Sequence, residues 1–504
     1  MLMGAEIAIL SCELQVIVMI YETIIGLEVH AHLLTRSKMF CGCSTDYANA
    51  PPNTHVCPIC LGMPGVLPVI NWKAVEYAVR TALALNCTIS EFTKFDRKNY
   101  PYPDLMKGYQ ISQYDTPLSR NGWLEIEVDG RRRRINITRV HLEEDVAKLI
   151  HRTDPSGESY SLVDVNRSGI PLLEIVSEPD LRSAEEARQY LMMLRSILQY
   201  LGVSTGNMEE GSFRCDANVS VRRKDSPTYS AKVEVKNMNS FKAVYRALEY
   251  EAERQGKLLE EGGQLVQETR GWVEEKGITV AQRSKEYAHD YRYFPEPDLP
   301  PLVLSPEWVE ELRSCLPELP DARRERFMAQ YGLPLYDVNL IVGSKAFADY
   351  FESCVQIPPP GNKLEKRAKA VSNWMLGEFS RLLNASGIEV DEAKVKPQHL
   401  AEVLDLIEEG TLSISLAKRV FEEMFYSGKQ PSQIIVEQGL TQISEAFEIE
   451  SAVDQVLAAN AQAVADFKKG KEGALRFLVG QVMRATKGRA NPKLVNDLVR
   501  NKLQ

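Results

Sequence analysis

The chain has 504 residues, 44% apolar and 26% charged, with a formal net charge of −9 and a sequence pI near 5.6. That length exceeds one core and points to about three domains, and the charge balance excludes a chain-wide basic field, so any nucleic-acid contact needs a local patch. Nine cysteines, four of them clustered, exclude a disulfide scaffold and indicate a reducing compartment with one metal site.

The opening "MLMGAEIAILSCELQVIVMI" has the apolarity of a membrane segment, but Glu6 and Glu13 interrupt it and no Lys or Arg precedes it. Neither a signal peptide nor a spanning helix fits that pattern. The expectation is a cytoplasmic chain with no membrane partner, whose natural start is Met19 and whose residues 1–18 are an upstream extension.

"IIGLEVHAHL" follows, with Glu28, His30 and His32 on one side of a strand and Leu27, Val29 and Ala31 on the other. A solvent-facing strand explains this, and so does a metal or proton-transfer site built on a rigid strand. "CGC" at 41–43 and "CPIC" at 57–60 then place Cys41, Cys43, Cys57 and Cys60 as two knuckles across a loop. Four convergent thiolates suit a closed, structural zinc site; four buried free thiols are the alternative.

"NWKAVEYAVRTALALN" has helical apolar spacing. In "ITRVHLEED" a strand sets Arg139, His141 and Glu143 opposite Val140 and Leu142, and Asp154 to Gly157 reads as a turn between two strands. Glu174 interrupts the apolar run of "IPLLEIVSEPD", where a carboxylate is costly unless paired or bound to metal. Ser183 with Glu186 opens a helix that Gly202 closes. "SFRCDANVS" alternates Arg214, Asp216, Asn218 and Ser220 with apolar residues, "VEVKN" adds Glu234 and Lys236 on one face, and a helix is expected from about Ser240 to Gly256.

If these strands share a sheet, one face gathers Glu28, His30, Glu143 and Glu174 near Arg214 and Lys236. Hard oxygen ligands suit Mg²⁺, and the cations suit nucleotide phosphates. Taken singly, each acid reads as an ordinary solvent-facing side chain. No GxxxxGK[ST], strand-linked GxGxxG or HExxH occurs, so any ATP would be held by metal and side chains.

The proline-rich "FPEPDLPPL" reads as a connector to short amphipathic helices such as "SPEWVEELRSCL", "DARRERFMAQYG" and "SISLAKRVFEEMFYSG". From Lys468 the chain turns basic, and Lys468, Lys469, Lys487, Arg489 and Lys493 are candidate phosphate contacts; a solvated helical face is the alternative. The expected organisation is an extension at 1–20, an α+β domain with zinc knuckles at 21–297, a helical domain at 298–440 and a basic helical tail at 441–504.

In order along the chain, "GLEVHAHL", "CPICLGMPGVLPVIN", "DRKNYPYPDLMKGYQISQ", "HLEEDVAK", "VDVNRSGIPLLEIVSEPD", "MEEGSFRCDANVS", "EVKNMNSF" and "HDYRYFPEPDLPPL" strongly resemble the B subunits of aspartyl/glutamyl-tRNA amidotransferases. The resemblance runs from Tyr21 to the C-terminus. It implies a mixed-sheet cradle related to glutamine-synthetase-type catalytic domains, then an all-α domain and a small α-helical tail that contacts tRNA. It implies ATP- and Mg²⁺-dependent phosphorylation of the side-chain carboxylate of Glu-tRNA(Gln) or Asp-tRNA(Asn), followed by amidation. The ammonia would come from an amidase-type A subunit, with a small C subunit strapping the pair.

By resemblance, Glu28, His30, Glu143 and Glu174 match the family's Mg²⁺ positions. Arg214 and Lys236 are the candidate phosphate contacts, and Glu210 a residue for a second ion or the ammonia channel. His32 stands at a position the family fills variably, Pro101 where an aromatic is usual, Met106 where proline is common, and "TDPSG" lengthens one hairpin. The rival readings are a non-enzymatic zinc-containing tRNA-binding subunit and an ATP-dependent ligase of a small carboxylic acid.

Overall fold

A computed structural model describes residues 21–226, 228, 230–282, 291–358, 364–440, 446–468, 471–486, 490 and 492–503. The expectations for residues 1–20 lie outside the described residues. Contacts divide the chain into two compact units, Met1–Pro320 and Asp321–Gln504.

The first unit is mixed α+β. Its framework, among the described residues, is a nine-stranded sheet. From one edge the order is Ile278–Ala281, Glu268–Val273, Val233–Met238, Phe213–Arg223, Tyr21–His32, Pro171–Ser177, Arg131–Glu144, Ser119–Val128 and Thr88–Ile89. Every neighbouring pair is antiparallel except Val233–Met238 with Glu268–Val273.

The period-2 patterns are satisfied as read. Leu27, Val29, Ala31, Val140, Leu142, Leu173, Ile175, Cys215 and Ala217 enter one core with the apolar stripes of three helices, Trp72–Ala84, Ala184–Tyr200 and Phe241–Glu260. Burying that face leaves the opposite one to the charged partners of the same strands.

The caps explain where these helices begin. Asn71 accepts from the Lys73 and Ala74 amides, Ser183 from Glu186, and Ser240 from Ala243. The third helix does not stop at Gly256 but runs to Glu260. Glycine costs a helix interior about 1 kcal/mol, and here Gly256 lies on the buried side, where packing outweighs propensity.

The proline-rich stretch is not a free connector. Phe294–Pro295 pairs with Asp96–Asn99 in a three-stranded sheet completed by Tyr109–Ser112, and Leu302–Val303 pairs with Phe92–Thr93. Buried Glu296 accepts two hydrogen bonds from Arg97, at 2.6 and 2.8 Å. Proline lacks a ladder donor, so these short edge pairings are where it is tolerated. The expected turn at Asp154 to Gly157 joins the hairpin Lys148–Thr153 and Ser159–Asp164.

The second unit is helical throughout its described residues. Aromatic contacts among Phe327, Tyr331, Phe351, Phe379, Phe421 and Phe425 mark the interior of its first part. The last four helices, from Ala446–Ala459 to Pro492–Leu503, enclose a separate core of Ile449, Val453, Leu478, Val482, Val495 and Val499. Among the described residues no helix is long and apolar enough to cross a membrane.

Candidate active site and metal centres

Register brings the acids together. His30 lies directly across from Glu174 on one side and Arg214 on the other, and Glu174 lies across from His141. Two residues back along the first strand, Glu28 faces Asp216; two residues back from Glu174, Leu172 faces Glu143. Cross-strand neighbours share a face, so three strands deliver these side chains to one floor.

His30 Nε2 stands 3.7 Å from Glu28, 3.4 Å from Glu143 and 3.4 Å from Glu174. Glu174 also faces His141 Nε2 at 3.4 Å and Arg139 at 3.6 Å. The donor atoms form two overlapping triads, Glu28–His30–Glu174 and His141–Glu143–Glu174, each within 4.8 Å. Glu174 belongs to both. Buried charges of this kind are tolerated only when paired or metal-bound.

The electrostatics fit a cation site. The Glu174 carboxylate, and then burial, push Glu28 up to about 7. Burial opposes charge on His30, yet hydrogen bonds and charge from Glu143 and Glu174 raise it well above the usual imidazole range. Burial raises Glu174, but His141, His30 and Lys98 hold it well below the usual carboxylate range. Burial lowers His141, whose Nδ1 has no hydrogen-bond partner among the described residues. The carboxylate oxygens suit a hard divalent cation, and imidazole is a compatible fourth donor.

Lys98 is a site residue that sequence reasoning missed. It lies on the Asp96–Asn99 strand, and its ammonium is 5.0 Å from the Tyr291 ring centroid. Burial works against its charge, but Glu143, Tyr293 and Glu174 raise it above the usual lysine range. The neighbouring Ser112 hydroxyl donates to Glu143 at 3.3 Å. His141 was visible as a residue of the right face, though only the register gives it Glu174 as a partner.

Arg214 and Lys236 do reach this floor. Arg214 donates to Asp145 at 2.8 Å, and Glu143 and Asp216 add to the charge around it. Lys236 pairs with Asp216 and, at 2.7 Å, with Glu234. Glu210 is exposed on the turn before the Phe213–Arg223 strand and belongs to neither triad. In the tail, Lys469, Lys487 and Arg489 lie outside the described residues, as do the side chains of Lys468 and Lys493.

Cys41, Cys43, Cys57 and Cys60 converge with all sulfurs within 4.8 Å, and Cys57 and Cys60 are 3.9 Å apart. A tetrahedral ion with metal–sulfur bonds of about 2.3 Å needs sulfurs about 3.8 Å apart, so the knuckles are a fitting metal site. The Cys41 hydrogen bond is the main influence lowering Cys60, to about 4, and Lys38 lies close enough to help.

Comparison with known proteins agrees with this geometry. Residues 23–310 match the GatB/GatE catalytic domain family, and residues 349–503 match the GatB domain family. The chain is 57% identical to the B subunit of an aspartyl/glutamyl-tRNA(Asn/Gln) amidotransferase from Carboxydothermus hydrogenoformans, over 96% of this chain and 99% of that protein. The chain belongs to this family. B subunits of the same name from Caldanaerobacter subterraneus subsp. tengcongensis and Moorella thermoacetica are 58% and 59% identical to it over the same 96% of the chain, covering 99% and 100% of their lengths. All four cysteines and both acidic triads are thus features of a chain that matches these amidotransferase relatives along nearly their whole length.

Proposed function

We propose that this chain is the activating subunit of the tRNA-dependent amidotransferase, using ATP to phosphorylate the side-chain carboxylate of Glu-tRNA(Gln), Asp-tRNA(Asn) or both. The observation that carries this reading is the convergence of Glu28, His30, Glu143 and Glu174 from three strands, beside Arg214 and Lys236. An RNA-binding module would have no use for such a floor.

A carboxylate is a poor electrophile. Its oxygen attacks the γ-phosphorus of ATP and ADP leaves; ammonia nitrogen then attacks the acyl carbon and inorganic phosphate leaves. Glu28, His30, Glu143 and Glu174 are the residues that would hold Mg²⁺, which when bound offsets phosphate charge during transfer. Arg214 and Lys236 supply N–H donors for phosphate oxygens. Lys98, close to Glu143 and Glu174, adds to the positive charge from His141 and His30 that holds the Glu174 carboxylate ionised. Glu174 and Glu143 expose only 7% and 3% of their side chains, so the inner part of the floor is held away from solvent while the Glu28 and Arg214 side faces it.

The cysteine knuckles would carry a structural Zn²⁺. An amidase-type A subunit would supply ammonia from glutamine and a small C subunit would complete the assembly, in the cytoplasm. Glu210 would serve a second ion or the ammonia path. The division would be a glutamine-synthetase-like cradle at 21–297, a helical domain at 298–440 and a tRNA-binding tail at 441–504 carrying Lys468, Lys469, Lys487, Arg489 and Lys493; the separate core of the last four helices supports the tail as a module of its own.

The test uses the chain assembled with its partner subunits, ammonium, ATP and Mg²⁺, and follows phosphate release with each misacylated tRNA and with none. Release that requires misacylated tRNA, and is lost in Glu143→Gln while tRNA binding persists, is the expected result. Release that proceeds equally without tRNA would point to a small-acid ligase, and tRNA binding without any release would point to a binding module.

A further inference from the structure

The end of the first strand aligns Glu28, His30 and His32, and the acidic floor uses only the first two. Glu28 and His30 turn to the metal-type cluster, whereas His32 directs Nε2 to Asp145 Oδ2 at 2.6 Å. Asp145 follows the Arg131–Glu144 strand, two residues beyond Glu143, and is 2% exposed. The same Oδ2 accepts from Arg214 Nη2 at 2.8 Å and faces Arg167 Nε at 3.5 Å, while Oδ1 accepts from the Val146 amide at 2.8 Å.

The three cationic or polar partners are not equivalent. Arg167 is anchored to the backbone, donating to Val146 O at 2.9 Å and Ala147 O at 3.0 Å. Asp145 is itself held at both main-chain atoms, donating to Ile170 O at 2.9 Å and accepting from Gly169 at 2.8 Å. Arg214 is the least constrained by its chemistry: a long side chain, 37% exposed, whose Cα lies directly across from His30. One nitrogen of its guanidinium, Nη2, is held by Asp145, and among the described residues no other hydrogen bond engages the group, so its remaining N–H groups can meet an anion over the floor. An unanchored arginine must be ordered each time it binds, at a cost in rotamer entropy; a tethered one is preorganised.

We infer that Asp145 is a positioning residue that aims Arg214 at the transferring phosphoryl group, and that His32 is the second tether holding the Asp145 carboxylate in place. This rests on the reading of the floor as a phosphoryl-transfer site. It gives His32 a purpose other than metal binding or solvation. Asp145 acts only through Arg214, so its removal has nothing left to disturb once the guanidinium is gone.

The experiment is a double-mutant cycle in the assembled amidotransferase, with ammonium as nitrogen donor and misacylated tRNA saturating. kcat/KM for ATP is measured for the parent, Asp145→Asn, Arg214→Met and the double variant, and KM for the misacylated tRNA alongside. Removing a charge-assisted hydrogen bond to phosphate in Arg214→Met is expected to lower kcat/KM for ATP by about 50-fold. Asp145→Asn is expected to lower it by about tenfold, and the double variant to match Arg214→Met within about twofold, because coupled residues do not add. KM for the tRNA stays within about twofold in all of them.

His32→Gln provides the same cycle without touching the buried carboxylate, and its expected loss of about threefold likewise vanishes on the Arg214→Met background. Multiplying effects in both cycles would make Asp145 and His32 general scaffold and overturn the inference. If Arg214→Met leaves kcat/KM for ATP unchanged while Glu143→Gln abolishes phosphate release, the floor keeps its function and the inference alone fails. If Glu143→Gln also releases phosphate normally, the phosphoryl-transfer reading itself fails.

Discussion

Glu174 is shared by both acidic triads, whereas Glu28 belongs to one, and that asymmetry sets an order of mutational effects. Glu174→Gln keeps the shape and removes a charge that faces His30 and His141 at 3.4 Å and Arg139 at 3.6 Å. At that separation and an effective dielectric of about 20, a unit charge pair is worth about 5 kcal/mol before desolvation, and a dication doubles it. Retaining even a quarter of the dication figure, about 2.5 kcal/mol, weakens divalent-cation binding by about 60-fold. Glu28 belongs to one triad only and is the more exposed of the two, so Glu28→Gln is expected to weaken binding by about tenfold. Mn²⁺ titration followed by the resonance of the free ion measures both, with phosphate release measured in parallel. Equal losses in the two variants, or no loss in Glu174→Gln, would refute the shared-ligand reasoning.

Cys57→Ser, checked by metal analysis and thermal melting, is expected to lose the knuckle metal and lower the melting temperature of the first unit, since a structural thiolate site contributes folding energy. Truncation after Leu440 should weaken tRNA binding and flatten the dependence of log affinity on log salt, by about 0.7 to 0.9 for each phosphate no longer neutralised. In the helical unit, burial raises Asp349 and Glu352, but Lys345 and Arg323, and Arg326 and Arg323, bring them below their usual values. A folded pKa below the unfolded one gives stability that is fully present above the unfolded pKa of about 4 and is lost as pH falls through the folded values. Arg323→Met, which removes partners at 2.5 and 2.9 Å, should therefore lower the melting temperature at pH 7 more than at pH 3.

How much of this was legible follows from the range of the interactions. Glu28, His30 and Glu143 stood out because a strand writes its faces with period 2, and Glu174 because a carboxylate broke an apolar run. Their convergence depends on strand order, which no local pattern encodes. Lys98 sits in "DRKNY" with nothing to mark it; its partners lie on strands that begin more than thirty residues later. The Arg97–Glu296 pair that pins the proline-rich stretch joins residues 199 apart, so that stretch looked like a connector. Gly256 misled in the opposite direction, because burial decided what propensity alone would not.

The charge distribution of the floor explains why these features belong to one device. Its cations are already committed to carboxylates of their own: Arg214 to Asp145, Lys236 to Asp216 and Glu234. Glu28 is left with Glu174 as its strongest electrostatic neighbour, and the repulsion holds it near 7. A protein that needed only stability would replace such a carboxylate with an apolar residue, which costs less to bury. On the proposed reading a divalent cation would relieve the surplus negative charge, and the tethered cations would turn the donors their carboxylates do not use to the phosphates that arrive with it. On that reading the arrangement would be balanced only with nucleotide and metal both in place, the condition under which a carboxylate should be activated.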